Sequence, residues 1–227
     1  MNMTTNGSYA GKTKCLPTYL LLDTSGTMAA HEKTLNDTLE HVYLSLVESP
    51  RVAEFAHISI ISFNTDPHLV LEMTDIEEIR ALPAVSCGGL TNFGPAFALV
   101  NERINIDVPA LKSAGMAVLR PTVFLLTDGQ PTDGESWPAK FAALVDPSWA
   151  RRPHVITFGF GDATSESIGS MATKAAFLAK NNLQEKEALT NMLTTLLNTL
   201  VASAPAGELR IPADLPGFER VPVDYVE

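Results

Sequence analysis

Three stretches of this 227-residue chain place oxygen-bearing side chains where they could hold a cation. In "YLLLDTSGTMAA" (19–30) an apolar run climbs to Asp23, followed by Ser25 and Thr27 with no Lys, Arg or His beside them. "CGGLTNFG" (87–94) offers Thr91, and "LLTDGQPTDG" (125–134) offers Thr127 and Asp128. No His or Cys stands at ligand spacing in any of the three. Carboxylate and hydroxyl oxygens without nitrogen or sulfur suit a hard divalent ion, Mg²⁺ first and Mn²⁺ or Ca²⁺ next.

Charge decides what such a site would do. Asp23 and Asp128 together match a dication. If hydroxyls make the direct bonds and the acids act through water, the ion keeps Lewis acidity for a further ligand from outside, best a Glu or Asp carboxylate. That is a docking site. A hydrolase needs a nucleophile, a positioned base and a cationic clamp, and none is evident. Each residue also has a plainer reading. Asp23 could cap a turn. Gly88 and Gly89 could be turn formers, or could let the backbone bring Thr91 close to an ion. Asp133 and Glu135 read as solvated loop acids that could also shape the rim.

These residues need a frame that gathers them. "TYLLLD" (18–23), "AHISIISFN" (56–64), "TVFLLTD" (122–128) and "HVITFGFG" (154–161) are apolar without alternation, the pattern of strands buried on both faces. "PHLVLEM" (67–73) follows the second strand too closely for a crossover, which predicts an antiparallel hairpin. Helical spacing appears in 31–49, ending at Pro50, and again from Phe93 through Phe97, Val100 and Ile104. Short helices are expected at 139–146 and 165–173. The segment 174–178 reads either as a last strand or as a continuation of the second of these. The clearest helix is 185–203, with Leu189, Met192, Leu193, Leu196 and Leu200 on one face. Alternating strands and helices predict a three-layer, Rossmann-like α/β fold. Its central sheet is mostly parallel, with one antiparallel edge strand and helices on both faces. Such sheets bind ligands at the carboxyl ends of their strands, which is where the three motifs fall. Residues 1–15 are expected to be a flexible tail, 16–203 one domain, and 204–227, with four prolines and no periodicity, a second tail.

Composition narrows the function. The chain is 45% hydrophobic and 19% charged with a net charge of −10, enough apolar content for one core. The acidic balance lacks the basic footprint of nucleic-acid binding. Cys15 and Cys87 would fall at opposite ends of a parallel sheet, so free thiols are expected. The first twenty residues lack a signal-peptide pattern, and no apolar run reaches the roughly 20 residues of a membrane span. A cytoplasmic location is the expectation. "GSYAGKT" (7–13) has three residues between its glycines where a phosphate loop needs four, and it precedes a strand. The histidines show no metal spacing, and Trp137 and Trp149 read as packing residues around the helix near residue 141.

"DTSGT" resembles the D-x-S-x-[ST] motif of von Willebrand factor A (VWA) domains, and "GGLT" and "LLTDG" resemble that family's second and third loops. The resemblance runs from about residue 17 to 203. It implies a metal-ion-dependent adhesion site (MIDAS) in which Ser25, Thr27 and Thr91 ligate the metal while Asp23 and Asp128 hold its waters. Within the family the motifs look most like bacterial TerY-like proteins of tellurium-resistance and chemical-stress clusters, which are associated with protein kinases and PP2C-type phosphatases. A non-enzymatic scaffold that binds a partner's Glu or Asp carboxylate is therefore expected. Two rivals remain: a Mg²⁺-dependent phosphohydrolase of the haloacid-dehalogenase type with Asp23 as nucleophile, and an interaction module whose metal site is inactive.

Overall fold

Strand β1 (Lys14–Asp23) is buried at every position but its first, because sheet neighbours flank it and helices cover both its faces. The computed structural model describes residues 13–180, 183–223 and 225. β1 pairs in parallel with β2 (Ala56–Phe63) on one side and with β5 (Thr122–Thr127) on the other. Outside β2 lies β3 (Pro67–Asp75), antiparallel across the turn 64–66, as the short gap requires. β4 (Ala117–Val118) pairs with the first residues of β1. β6 (His154–Gly159) and β7 (Ala175–Ala179) continue the parallel sheet, and β8 (Phe218–Val221) closes it antiparallel to β7. The order is β3-β2-β1-β5-β6-β7-β8.

Side chains alternate across β1 and divide the core in two. Leu20 and Leu22 face a layer built from α1 (Glu32–Val47) and α6 (Glu185–Ala206), through Leu35, Leu39, Leu193 and Leu196. Tyr19 and Leu21 face α3 (Phe93–Ser113) and α4 (Ser136–Leu144), through Phe97, Val100 and Phe141. Between α1 and β2 sits the short α2 (Pro50–Ala53). Pro50 ends one helix and opens the next, because a first-turn residue needs no N–H. α5 (Ser165–Ser170) begins with a reciprocal cap between Thr164 and Ser167.

Several boundaries move from the sequence reading. β1 starts at Lys14, inside the segment expected to be a tail, because β4 gives its first residues a partner. Residues 1–12 of that segment lie outside the described residues. α4 starts at Ser136, ahead of Pro138, whose missing N–H belongs to the unbonded first turn. Residues 175–179 are a strand, with Ala175 to Leu178 in register with β6. The sheet has two antiparallel edges where one was expected. The second is β8, within the proline-bearing 204–227 segment, where Phe218 and Val221 are buried and the two residues between them exposed. Four residues are too few for periodicity to reveal them among prolines. Cys15 and Cys87 are free thiols. His57 lies on β2 and His68 on β3.

Candidate metal centre

Strand order reverses between β1 and β5, because the chain winds outward from β1 in both directions. The crevice at their carboxyl ends is therefore the place where side chains can converge on a ligand. Asp23 ends β1 there and is 1% exposed. Both of its carboxylate oxygens are engaged: the Ser25 N–H donates to Oδ1 at 2.9 Å and the Thr127 hydroxyl to Oδ2 at 2.6 Å. Thr27, exposed at the mouth, donates from Oγ1 to Asp128 Oδ1 at 2.9 Å and lies 3.1 Å from Ser25 Oγ. A Cβ built on Gly129 would lie 3.9 Å from Thr91 Oγ1 and 4.0 Å from Thr27 Oγ1, so these two hydroxyls face a common space. The structure thus gathers all five sequence-predicted residues, Asp23, Ser25, Thr27, Thr91 and Asp128, from three loops.

Thr91 is brought there by a loop with little regular structure. Its first half is tied to the loop after β1: Gly26 N–H donates to Gly89 C=O at 3.0 Å and Gly88 N–H to Thr24 C=O at 2.8 Å. Gly89 has φ +84°, and a side chain on it would meet Thr65 Oγ1 at 2.7 Å, so glycine is required there. The hairpin between β2 and β3 adds Thr65 Oγ1, which accepts from Leu90 N–H at 3.1 Å. Upstream, Asn36 brackets Val85 through both its N–H and its C=O, each at 2.9 Å.

Electrostatics give the site its character. Burial raises the Asp23 carboxyl above its ordinary value, against the lowering effect of its bonds from Ser25 and Thr127. Asp128 is pushed up to about 6, by burial first and by the Asp23 charge second. Asp23 and Asp128 thus concentrate negative charge in one buried place, which a cation would offset. Among the described residues neither accepts a hydrogen bond or ion pair from Lys or Arg. Nor do any three His, Cys, Asp or Glu side chains cluster as a metal site there, so an ion held here would depend on hydroxyls. Oxygen-only donors, two acids and a shared space between hydroxyls fit a hard dication.

Three neighbours escaped the sequence reading, and a fourth, Thr127, takes a different role from the one its place suggested. His31, the residue directly after the first stretch, lies close enough for its charge to favour ionised Asp128. Cys87 has its thiol pushed up to about 12, by burial and then by the charges of Glu32, Asp23 and Asp128, which places it beside the site. Thr132 holds Thr91 by accepting a hydrogen bond from its N–H at 2.9 Å, and Thr127, offered by the sequence as an oxygen of the site, donates to Asp23. A buried hydroxyl ending an apolar strand was the available signal for Thr127, whereas Thr132 gave none beyond ordinary turn chemistry.

No protein-family model and no curated protein matches the chain. Solved structures do. The ArnB paralog VWA2 from Sulfolobus acidocaldarius aligns at TM-score 0.53 and 19% identity, over 83% of this chain and 46% of that one. A von Willebrand factor type A structure from Catenulispora acidiphila aligns at 0.54 and 12%, over 82% and 43%. The fold is that of a VWA domain. A third similar structure, proximal thread matrix protein 1 from the mussel byssus with a zinc-occupied MIDAS motif, aligns at 0.58 and 17%, over 84% and 48%. This chain spans about half the length of these proteins or less, and at such identities the likeness is one of fold. Within a VWA fold the crevice between β1 and β5 is where Asp23 and Asp128 stand.

Proposed function

We propose that this VWA domain binds a protein partner through a divalent cation, Mg²⁺ foremost, with a Glu or Asp carboxylate of the partner as the remaining ligand. The observation that carries the reading is the pair of buried carboxylates, Asp23 and Asp128, ringed by hydroxyls and unmatched by Lys or Arg among the described residues. Ser25, Thr27 and Thr91 would hold the ion, and Asp23 and Asp128 would supply its counter-charge. When bound, the ion supplies Lewis acidity toward an incoming carboxylate. The chain's own part is to fix the oxygens. Thr127 and the Ser25 N–H orient Asp23, and the loop bonds around Gly89 hold Thr91 at the mouth. The mussel protein's zinc-occupied MIDAS motif supports a metal at the equivalent place in this fold.

The role is non-enzymatic in this reading. Both oxygens of Asp23 accept hydrogen bonds, which leaves it poorly disposed for the nucleophilic attack that a haloacid-dehalogenase-type reaction requires. The resemblance of the three motifs to TerY-like proteins supports a cytoplasmic complex answering tellurite or chemical stress, with a protein kinase and a PP2C-type phosphatase as partners. No helix among the described residues is long and apolar enough to cross a membrane.

The test joins titration to capture. Mn²⁺ should bind the wild-type protein and not Thr91→Ala, and an acidic partner captured in Mg²⁺ should be released by EDTA. An identical set of bound proteins with EDTA, and with Thr91→Ala, would overturn the reading. Phosphate release from a generic ester that is lost in Asp23→Asn would replace it with the hydrolase.

A further inference from the structure

Thr91 and Asp128 must be held in register if both serve one ion, yet they sit on different loops, one with little regular structure. A hydroxyl ligand carries no net charge, so its contribution depends on placement. The segment after Asp128 supplies that placement. Thr132 Oγ1 accepts from the Thr91 N–H at 2.9 Å, and the Thr132 N–H donates to the Thr91 C=O, also at 2.9 Å. One residue therefore holds both backbone polar groups of Thr91. The same Thr132 hydroxyl donates to Asn92 Oδ1 at 3.0 Å.

The next residue extends the grip. Asp133 Oδ2 accepts from the Gly94 N–H at 2.7 Å, in the first turn of α3, and from Ser136 Oγ at 3.1 Å. A carboxylate there caps free N–H groups and complements the dipole of the 21-residue helix that follows Thr91. A Cβ on Gly94 would meet Asp133 Oδ2 at 2.9 Å, so the approach depends on glycine. The link back to Asp128 is short and stiff. It is Gly129, Gln130 and Pro131, with Pro131 fixed in φ and Gln130 Nε2 donating to Asp162 C=O at 2.8 Å.

We propose that Thr132, assisted by Asp133, is a positioning residue of the metal centre that locks the Thr91 loop to the Asp128 loop. The proposal rests on the metal-site reading above. The bonds that Asn64 and Thr65 accept tie the Thr91 loop to the β2–β3 hairpin, which carries no proposed ligand, and those at Gly88 and Gly89 tie it to the loop after β1, so neither set joins it directly to the segment after Asp128. Thr132 does. Its side chain is exposed, so the hydroxyl can be removed without opening a hole in the core.

The test uses the full chain with Thr132→Val, which keeps the shape without the hydroxyl, and Thr132→Ser, which keeps the hydroxyl. Mn²⁺ affinity is measured by calorimetry and amide hydrogen exchange by NMR at Thr91. Outer partners of metal ligands typically matter by 10–100-fold, so Thr132→Val should weaken Mn²⁺ binding about tenfold and speed exchange at Thr91 by a similar factor. Thr132→Ser should restore both to within about twofold. A purely structural turn would change melting temperature alone. Wild-type affinity in Thr132→Val, or failure of serine to rescue, overturns the proposal while the metal site stands. A wild-type protein that binds no Mn²⁺ overturns both.

Discussion

Two buried carboxylate sites share strand β1, and they are finished in opposite ways. Asp107, on α3, accepts from the Tyr19 hydroxyl at 3.0 Å and from Arg103 at 2.7 Å, in a largely buried ion pair. Four residues further along β1, roughly 13 Å away, Asp23 accepts from a backbone N–H and a hydroxyl, and faces a second acid, Asp128. Burial raises the carboxyl pKa at both places. At Asp107 the Tyr19 bond and the Arg103 charge oppose the rise. At Asp128 the neighbouring Asp23 charge adds to it. The first site carries its own cation and is closed. Under the proposed function, the second takes its cation from outside. Burial alone therefore does not separate the two sites; the sign of the strongest neighbouring charge does, Arg103 beside Asp107 and Asp23 beside Asp128.

Removing an acid should give opposite results at the two sites. Asp107→Ala leaves Arg103 buried without its partner and should cost about 3–5 kcal/mol in urea unfolding. Asp23→Asn in metal-free protein should cost far less or stabilise, since it relieves Asp128. Equal losses would erase the distinction. For Mn²⁺ titrations the order reverses. The Asp23→Asn, Asp128→Asn double variant should lose affinity about 100-fold or more, while Asp107→Asn should bind within about twofold of wild type.

Acidity sharpens the comparison further. Asp128 ionises near pH 6 in the folded chain, above its ordinary value of 3.8. The metal-free fold therefore binds that proton more tightly than the unfolded chain. Its contribution to stability is fully present below about pH 4 and is lost as pH rises through about 6. Metal binding needs the carboxylate, so Mn²⁺ affinity should fall about tenfold per unit as pH drops below 6. Urea melts from pH 4 to 7, with and without Mg²⁺, check both signs. The smallest effect belongs to Tyr19→Phe. It should cost about 1 kcal/mol and leave Mn²⁺ affinity untouched.

The open site was the more legible of the two. Asp23, Ser25, Thr27, Thr91 and Asp128 stand at strand ends and in a glycine-rich loop, where a doubly covered parallel sheet must place its ligands, so pattern and topology pointed the same way. Asp107 lies mid-helix beside apolar neighbours, and its bond to Tyr19 spans 88 residues, a pairing that no local spacing encodes. The same limit hid Thr132, whose partner is 41 residues upstream, and the partner of Thr127, which is 104 away. β8 was lost because its only signal is a buried residue at each end, in a segment whose prolines argue for an irregular chain.

The sheet's directions also say how the domain would bear a load. β1 rises from Lys14 to Asp23, and β8 descends from Phe218 to Val221. The chain therefore enters β1 and leaves β8 at the end opposite the candidate metal centre. A pull between a partner held at Asp128 and the segment before Lys14 would pass from β5 to β1, loading their five residue pairs in shear, while β1's eight pairs with β2 brace it on the other side. Rupture would then have to break the bonds of that ladder together instead of unzipping them in turn, so the strand that presents Asp23 would also carry the load.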